Sequence, residues 1–561
     1  MQGRHEPFAS RDGSPPGAAP GRALTVLAWG ILTALLGILA FVHPRFLLGT
    51  LVGDDAGYYV AVARNACLGH GFSFDRVDAT NGFNPLMPML LIPLDRLFAP
   101  GLDLIACFRI AALVSWLALA WSLVSARRLA ASVLPAFGLS DRATGPAVGA
   151  YLFFLAAFVA PKGYYGMDAF LVLALGLAYA AAVARVGTLA PGRWPALRDA
   201  ALLAGLVLAR VDSLPLVVAA LMVTSLAARH ESHGGRRLVA RVALIGAAIA
   251  PYAAWNRVVF GEWLPISARL KSSFPDWEPS ASLRTVLHSS LNPADVAVVF
   301  ATLVAAAAWL GFEARRRGQP APTAGRGARD AMAILALGLG ARLSWLLAFS
   351  RLDVQGSYFI LAPAFLALCT LVAAAHVAAG RWIRAAPFAL VLGGTALLAA
   401  KLGAALPEVA AIGAGKGDEW ALARRIHDRV APGDVIFGGA LGLIGYIADR
   451  AWINGDGVAN TRAFQDAIHA GDLAGHLARR SVDHVVVTVT PPQEPGGAPI
   501  VIRVASHLHG SYDSLVIAPR DILLRERMRR GGGSELWLAR WRPAAAGQAS
   551  PDSPPERHPS R

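Results

Sequence analysis

Apolar runs of about twenty residues recur along the first three quarters of this chain, and no other feature restricts its fold as strongly. Each run is long enough to cross a hydrocarbon core of about 30 Å as an α-helix. Hydrophobic residues make up 55% of the 561 residues and charged residues only 16%, with a mean hydropathy of +0.48. Soluble domains do not have this composition, so the sequence predicts an α-helical polytopic membrane protein.

About eleven or twelve membrane helices are expected, counting one interrupted segment as two. The uninterrupted spans are predicted near residues 23–42, 104–124, 144–160, 167–183, 239–255, 295–312, 331–349, 357–377 and 385–406. The segment 198–229 carries Arg210, Asp212 and Pro215 near its middle, which predicts two half-length helices that meet at buried charges. Such charges either mark a substrate pathway or only pin two helices together. Their high cost in a membrane favours the pathway.

The net charge of +15 is concentrated in arginines of the short loops between spans. Examples are Arg127 with Arg128, Arg236 with Arg237, and the triple arginine at 315–317. Cytoplasmic loops have this bias, so it predicts orientation and not a nucleic-acid partner. The N-terminus and these loops are expected in the cytoplasm, and the loop after the first span on the opposite side.

Composition also divides the chain into domains. Residues 1–22 and 543–561 are rich in Pro, Gly, Ala, Ser and Arg and are predicted to be disordered tails. The membrane part is expected over 23–406, with its first outer loop at 43–103. Residues 407–542 combine helical patterns with β-like runs and are predicted to form a small α/β domain outside the membrane.

Two features give no further site. The glycine run from Gly439 to Gly445 follows a β-like run, but its spacing differs from the dinucleotide fingerprint, so no nucleotide cofactor is expected. The three cysteines, an odd number, lack metal-ligand spacing and predict neither a disulfide framework nor a zinc site.

The candidate catalytic residues are Asp54 and Asp55, which follow the first span. Apolar and aromatic residues recur at helical spacing from Asp54 to Asn65, so one interpretation is that the pair caps a helix and favours its dipole. The other is that a carboxylate at a membrane boundary acts as a general base on a substrate that arrives in the lipid.

A second outer loop carries Arg269 and Lys271 close to Trp263. Two cations beside an interfacial aromatic residue suit a phosphate group at the membrane surface. Snorkelling of long basic side chains at the end of a span explains the same residues equally well.

The chain resembles bacterial GT-C glycosyltransferases, which are polytopic enzymes akin to protein mannosyltransferases and mycobacterial arabinofuranosyltransferases. The matching segments are Asp54-Asp55-Ala56, Tyr58-Tyr59, Arg64-Asn65, Gly69-His70-Gly71, the run from Thr80 to Leu86, Gly166-Met167-Asp168, Leu208 to Asp212, Asn256 to Lys271, Tyr358-Phe359 with Pro363, and Asn454 to Asn460. Three positions depart from the pattern. Gly57 replaces the usual aromatic residue, Met87 a common tryptophan and Asp168 a glutamate.

The resemblance implies transfer of a hexosyl or pentosyl group from a polyprenyl-phosphate-linked sugar to a glycan, lipid or protein of the cell envelope. Related enzymes use the first carboxylate of this loop as the base, which is Asp54 here, while Asp55 orients the loop, the acceptor or a cation. The implied inverting reaction needs cations on the departing phosphate, and the candidates are Lys271, Arg269 and Arg210, in that order.

Asn81, Asp168 and Tyr58 are the implied acceptor contacts. The implied location is the bacterial cytoplasmic membrane, with the α/β domain in the periplasm. No cofactor is certain, but Asp54, Asp55 and Asp168 leave a divalent cation open. The rival hypotheses are a transporter or flippase of lipid-linked sugars, with its site at Arg210 to Pro215, and a non-catalytic envelope protein that binds glycan.

Overall fold

A computed structural model describes residues 18–48, 52, 54–162, 164–188, 190–229, 231–289, 293–316, 323–352, 354–377, 382–413, 419–439, 442–455, 460–489, 500–506, 511–527 and 535–542. The chain divides into two compact units. The first, here the membrane unit, comprises residues 1–72 and 81–415, and the second comprises 73–80 and 416–561. Most of both predicted tails lies outside the described residues, although the first helix already begins at Ala18.

Within the described residues, the membrane unit consists of helices, their connecting loops and two isolated β-bridges. Its helices are α1 (Ala18–Phe41), α2 (Pro44–Phe46), α3 (Asp54–Cys67), α4 (Leu86–Phe98), α5 (Leu104–Ala136), α6 (Asp141–Val159), α7 (Ala169–Val186), α8 (Arg193–Ala209), α9 (Leu214–Ala228), α10 (Gly234–Phe260), α11 (Ile266–Lys271), α12 (Pro279–His288), α13 (Pro293–Arg316), α14 (Thr323–Phe349), α15 (Ala362–Val377) and α16 (Trp382–Gly413).

Nine segments in the described part of the chain are long and apolar enough to cross a membrane. They correspond to α1, α5, α6, α7, α9, α10, α13, α14 and α15. The shorter apolar segment Ala385–Lys401 of α16 and the 17-residue α8 account for the two further crossings that the sequence predicts. The fold class expected from the sequence is therefore confirmed.

The predicted break at Arg210 is confirmed, but the two helices are not half-length. Helix α8 has 17 residues and α9 has 15, and a 3-10 turn at Val211–Ser213 extends α9. At about 1.5 Å per residue each helix nearly crosses the membrane. The charges therefore lie at the turn of a helical hairpin and not at mid-membrane, because α8 already begins at Arg193, before Arg198, and α9 continues to Ala228.

Helices α1 and α6 approach each other closely through glycines. A Cβ atom on Gly21 would lie 2.5 Å from the carbonyl oxygen of Gly145, and one on Gly149 would lie 2.5 Å from that of Gly21. Only glycine permits this separation, as in other membrane helix pairs. The contact anchors α1, which leads into α3, against the rest of the bundle.

The second unit is a small α/β domain, as predicted. Its elements are α17 (Glu419–Arg429), β1 (Val435–Gly438), α18 (Gly442–Ala448), β2 (Ala451–Asn454), α19 (Arg462–His469), α20 (Leu473–Arg479), β3 (Val482–Val489), β4 (Ile500–Ser506), β5 (Ser511–Ile517), β6 (Ile522–Arg527) and β7 (Glu535–Arg540). The main sheet has the order β2-β1-β3-β7-β6, with β1 parallel to β2 and β3, and β7 antiparallel to β3 and β6. Strands β4 and β5 form a separate hairpin.

A piece of the first outer loop folds with this second unit. Arg76 forms an ion pair with Asp449, and Asp78 forms one with Arg480. The buried Asp75 carboxylate accepts hydrogen bonds from the backbone N–H groups of residues 77 and 78, at 2.8 and 2.7 Å. Residues 73–80 thus belong to the α/β domain, which the sequence does not predict.

The glycine run after β1 has a packing role. A Cβ atom on Gly438 would lie 2.7 Å from the indole of Trp452, and one on Gly445 would lie 3.1 Å from it. Trp452 is almost completely buried between these glycines. The glycines therefore make room for an aromatic side chain.

Candidate active site

Polar and charged residues from five connections meet at one end of the membrane unit. These connections contain α3 and α4, join α6 to α7, join α8 to α9, contain α11 and α12, and follow α14. Because successive crossing helices alternate in direction, all five connections reach the same end, which we call the α3 end. The remaining loops, rich in arginine, define the opposite, arginine-rich end.

Asp168 is the buried centre of the α3 end, and its side chain is fully excluded from solvent. Its Oδ2 atom accepts hydrogen bonds from the hydroxyl of Tyr59 and from Nδ2 of Asn84, both at 2.6 Å. Its Oδ1 atom accepts a hydrogen bond from Arg210 at 3.2 Å. Burial raises the pKa of Tyr59, and the Asp168 carboxylate raises it further, so the phenol remains a proton donor.

Arg210 continues the network toward a second carboxylate. Its Nε atom lies 3.2 Å from Oδ1 of Asp212, and the other oxygen of Asp212 accepts a hydrogen bond from Arg342 at 2.9 Å. Positive and negative groups therefore alternate from Asp168 through Arg210 and Asp212 to Arg342. Burial of charges is tolerated here because each charge has an opposite neighbour.

Lys271 lies beside this network on the last residue of α11. Its Nζ atom is 5.8 Å from the centre of the Tyr358 ring, and the guanidinium of Arg210 is 4.1 Å from the same ring. Burial alone would lower the pKa of Lys271, but Tyr358 and Asp55 outweigh burial and raise it. The ammonium group is therefore protonated at neutral pH. It forms no ion pair within 4 Å with any carboxylate that the structure describes.

Arg269, also predicted to bind phosphate, lies in a different environment. Its side chain is 42% exposed and forms an ion pair with Glu262. Although only one residue separates Arg269 from Lys271, the short helix α11 directs the two side chains apart. Of the three predicted phosphate-binding cations, the structure brings Lys271 and Arg210 together and leaves Arg269 outside.

The residues of helix α3 that were predicted to form the site lie on different faces of the helix. Asp54 is its first residue, and the Asp54 side chain lies outside the part of the chain that the structure describes. Asp55 is partly buried and close enough to Lys271 to raise its pKa. Because Asp55 and Tyr59 are four residues apart, they share a face of the helix. Tyr58, the predicted acceptor contact, is buried on the neighbouring face.

Asn81 joins two segments of the α3 end and is almost fully buried. Its Nδ2 atom donates to Oδ1 of Asn256 at 3.1 Å, and its Oδ1 atom accepts from the backbone N–H of Ile266 at 3.2 Å. These bonds tie the last turns of α10 to the first turn of α11. Asn81 thereby fixes the short helix that carries Lys271.

Sequence reasoning missed three residues of the network. Tyr59 and Asn84 lie inside the motifs quoted for the resemblance, but only their neighbours Tyr58 and Asn81 were assigned roles. Arg342 lies inside a predicted span at 331–349, and its side chain is 3% exposed. An arginine within an apolar run is itself a signal of a buried partner, which would have pointed to Arg342.

No group of three or more His, Cys, Asp or Glu side chains within the described ranges is arranged to hold a metal ion. Of the predicted candidates, Asp168 already accepts hydrogen bonds from protein donors at both carboxylate oxygens. A divalent cation at Asp54 and Asp55 stays an open prediction.

Comparison with known proteins finds no matching protein-family model and no matching curated protein. Solved structures of the oligosaccharyltransferase from Archaeoglobus fulgidus are similar. The archaeal oligosaccharyltransferase AglB in complex with an inhibitory peptide and a dolichol-phosphate has a TM-score of 0.47 and 11% identity, covering 83% of this chain and 69% of that chain. The same enzyme tethered to an acceptor peptide with the NVT sequon has a TM-score of 0.44 and 13% identity, covering 83% and 68%.

A similarity at this level assigns no role to any residue. The chain is a multi-pass helical membrane protein with an α/β domain, similar to an archaeal oligosaccharyltransferase.

Proposed function

We propose that this protein is a membrane glycosyltransferase that moves a sugar from a polyprenyl-phosphate donor to a cell-envelope acceptor. The observation that carries the proposal is the position of Lys271. It is a protonated cation without a close carboxylate partner among the described residues, and it lies within electrostatic range of the acidic helix α3. A phosphate group supplies the missing anion, and α3 supplies the base that glycosyl transfer requires.

The proposed reaction is a single inverting displacement. Asp54 takes the proton of the acceptor hydroxyl, and the hydroxyl oxygen attacks the anomeric carbon of the donor. The bond from this carbon to the phosphate oxygen breaks, and its electron pair leaves with the lipid phosphate, whose new charge Lys271 stabilises. Asp55, on the adjacent face, orients the loop or the acceptor. The sugar is a hexose or a pentose.

Arg210 acts mainly as a positioning residue in this scheme. Its donors are engaged by Asp168 and Asp212, and its guanidinium lies over the ring of Tyr358. It therefore holds the ring next to Lys271 and adds positive potential at longer range. Arg269, exposed and paired with Glu262, contributes less to the phosphate site.

The proposed acceptor site includes Tyr58, which lies on the face of α3 next to the one that carries Asp55 and Tyr59. Asn81 and Asp168 act there by fixing α11 and Tyr59, since their own polar atoms already have protein partners. The acceptor is a glycan, lipid or protein on the periplasmic side of a bacterial cytoplasmic membrane. The α/β domain lies on the same side in this topology.

The flippase hypothesis places the substrate at the turn between α8 and α9. There, two carboxylates and two arginines neutralise one another in the series from Asp168 to Arg342. A charged headgroup would have to displace one of these partners, at the high cost of leaving a buried charge unpaired. The geometry therefore favours transfer over transport.

Transfer from a synthetic polyprenyl-phosphate sugar by the full chain in nanodiscs tests the proposal. Asp54→Asn keeps the shape of the side chain but removes the proton acceptor, so we expect transfer to fall by about 100-fold or more. Asp55→Asn is the matched control and should have a smaller effect. Thermal stability is measured in parallel, because an amide can still cap the helix. Full activity of both variants with unchanged stability would return the pair to a capping role.

A further inference from the structure

Four aromatic side chains form an exposed patch at the α3 end, and the proposed reaction does not use them. We call Phe274, Trp277, Trp345 and Phe349 the aromatic patch. Their ring centres are 4.7–5.5 Å apart in successive contacts. Trp277 is 68% exposed, Phe274 58% and Trp345 38%, so the rings pack on one another but leave their outer faces free. At the end of a membrane helix, a contiguous apolar surface of this kind either faces lipid or binds an apolar ligand.

Backbone pairing fixes the aromatic patch beside Lys271. The N–H of Arg351 donates to the carbonyl of Lys271 at 3.1 Å, and the N–H of Ser273 donates to the carbonyl of Phe349 at 2.7 Å. Ser272 and Ser350 form the β-bridge between these two bonds. Phe274 follows Lys271 by three residues, a span of at most about 11 Å. The cation and the apolar surface therefore belong to one hydrogen-bonded unit.

The last turns of α14 contact both the ring beside Lys271 and the aromatic patch. Leu343 and Leu346 pack in one hydrophobic cluster with Tyr358, the ring next to Lys271. Trp345 and Phe349, four residues apart, contact each other in the aromatic patch. One helix end thus supports the ring at the proposed phosphate site on one face and the aromatic patch on another.

We infer that the aromatic patch binds the polyisoprenoid chain of the donor, starting next to the phosphate that Lys271 holds. This inference rests on the proposed function. An amphiphile of this type needs a cation and an apolar surface in immediate succession, and residues 271–277 together with the end of α14 supply both. Because membrane lipid is itself apolar, the gain arises from close packing on rigid aromatic rings and is modest in size.

The competing explanation is an interfacial aromatic belt that only anchors the protein in the membrane. Trp263 provides a matched comparison, because it is 63% exposed and lies in the connection between α10 and α11. Its described ring contact is with Arg257, 6.0 Å from the ring centre, and not with the aromatic patch. A belt residue and a chain-binding residue should respond differently to the length of the donor lipid.

The test compares sugar donors with a short and a long polyprenyl chain, using the full chain in nanodiscs and expressing concentration as mole fraction in the bilayer. The advantage of the long chain is measured as the ratio of the KM of the short-chain donor to the KM of the long-chain donor. We expect Trp277→Ala to raise the KM of the long-chain donor, so that this advantage falls about tenfold. Trp263→Ala should leave this advantage intact. An equal effect of both variants, or an unchanged advantage in Trp277→Ala, would overturn the inference.

A photoreactive polyprenyl phosphate without a sugar separates this inference from the proposed function. Cross-links on residues 274–277 and on the end of α14 that disappear in Trp277→Ala are expected, whether or not any sugar is transferred. If such cross-links form but no donor is used, the proposed function fails and the chain-binding surface stands. If transfer is normal and the cross-links lie elsewhere, the chain-binding surface fails alone.

Discussion

The two ends of the membrane unit both bury arginine–carboxylate pairs, but they differ in the groups that lie beside these pairs. At the arginine-rich end, Asp199 accepts from Arg198 at 2.7 Å and lies 3.1 Å from Arg241, which also donates to the carbonyl of Thr188. At the α3 end, Arg210 and Arg342 are similarly engaged, but Lys271 faces an aromatic ring. The first arrangement fastens helices, whereas the second also places a cation beside an aromatic ring, where we propose that the donor phosphate binds.

Helix α8 makes the comparison direct, because it carries Asp199 near its start and Arg210 just after its end. About eleven residues, or roughly 16 Å of helix, separate the two groups. Buried pairs of this kind are weak evidence for stability and become informative through what surrounds them. The open cation and the acidic helix α3 distinguish the α3 end, so variants at the two ends should have different consequences.

The largest expected effect concerns the orientation of the bundle in the membrane, which decides the compartment that each end faces. Reporter fusions after Val42 and after Gly413 should both report the periplasm, and one after Arg317 should report the cytoplasm, because the loops rich in arginine stay inside. Activity of alkaline phosphatase and fluorescence of green fluorescent protein distinguish the two sides. A cytoplasmic signal from the fusion after Gly413 would reverse the two ends and remove Asp54 from the periplasm.

The next largest effect is expected from Lys271→Ala. Loss of the ammonium should lower kcat/KM for the donor by about 100-fold, mainly through KM, because a desolvated charge pair contributes about 2–5 kcal/mol to binding. The dependence on acceptor concentration should change much less. Kinetics in nanodiscs with each substrate varied in turn measure both.

Arg269→Ala is the control for this variant, since it removes a cation only two residues away. Arg269 is exposed and paired with Glu262, so its loss should change donor kinetics by less than about twofold. If Arg269→Ala affects the donor as strongly as Lys271→Ala, the two side chains act as one clamp. If neither variant affects it, Lys271 is a snorkelling residue at the membrane surface.

The difference between the two ends was only partly visible in the sequence. Apolar runs predict the crossings, and the pair Arg210 and Asp212 predicts the break between α8 and α9. The partner Arg342 lies 130 residues away from Asp212, and no local pattern links the two. Tertiary packing decides such pairings, whereas periodicity and motif spacing report only on neighbours in the chain.

The candidate site was predicted to a similar extent. The motifs identify α3 and Lys271, but Asp168, expected as an acceptor contact, is saturated by Tyr59, Asn84 and Arg210. In the α/β domain, the β-like runs predict β1, β3 and β7, but not β4, β5 and β6, nor the short β2. Four residues give too little alternation to be distinguished from a loop.

Arg342→Met and Arg241→Met form the next pair, with a smaller expected effect on transfer. Arg342→Met leaves Asp212 to Arg210 alone, which shifts the guanidinium relative to Tyr358 and should lower transfer about tenfold. Arg241→Met removes a buried cation at the other end and should leave the rate per folded molecule unchanged. Both variants should unfold at lower temperature, since each leaves a buried carboxylate short of a partner. Equal losses of transfer would show that the two ends are not functionally distinct.

Asp95, on α4, can be compared with Asp168, because both are buried carboxyl groups at the α3 end. Its side chain is fully buried, and neither carboxyl oxygen has a hydrogen-bond partner among the described residues. Burial raises the pKa of Asp95 from 3.8 to about 7, an effect that Arg64 on α3 opposes only in part. Cys67 of α3 and Cys107 of α5 also lie close enough to interact with this carboxyl group. Unlike Asp168, Asp95 is buried without donors, so it is neutral below neutral pH.

The smallest effect on transfer, and a distinct effect on stability, is expected from Asp95→Asn. The unfolded chain releases the Asp95 proton near pH 3.8, whereas the folded protein retains it up to about pH 7, so the wild type loses stability as pH rises through this window. The difference corresponds to at most about 4 kcal/mol. An asparagine does not titrate, so the variant should unfold at a higher temperature than the wild type at pH 8, by an increment that shrinks towards pH 4. Thermal unfolding in detergent at a series of pH values measures this, with Asp103→Asn, which alters an exposed helix cap, as the control. A difference between variant and wild type that does not depend on pH would show that the pKa of Asp95 is not raised in the folded protein.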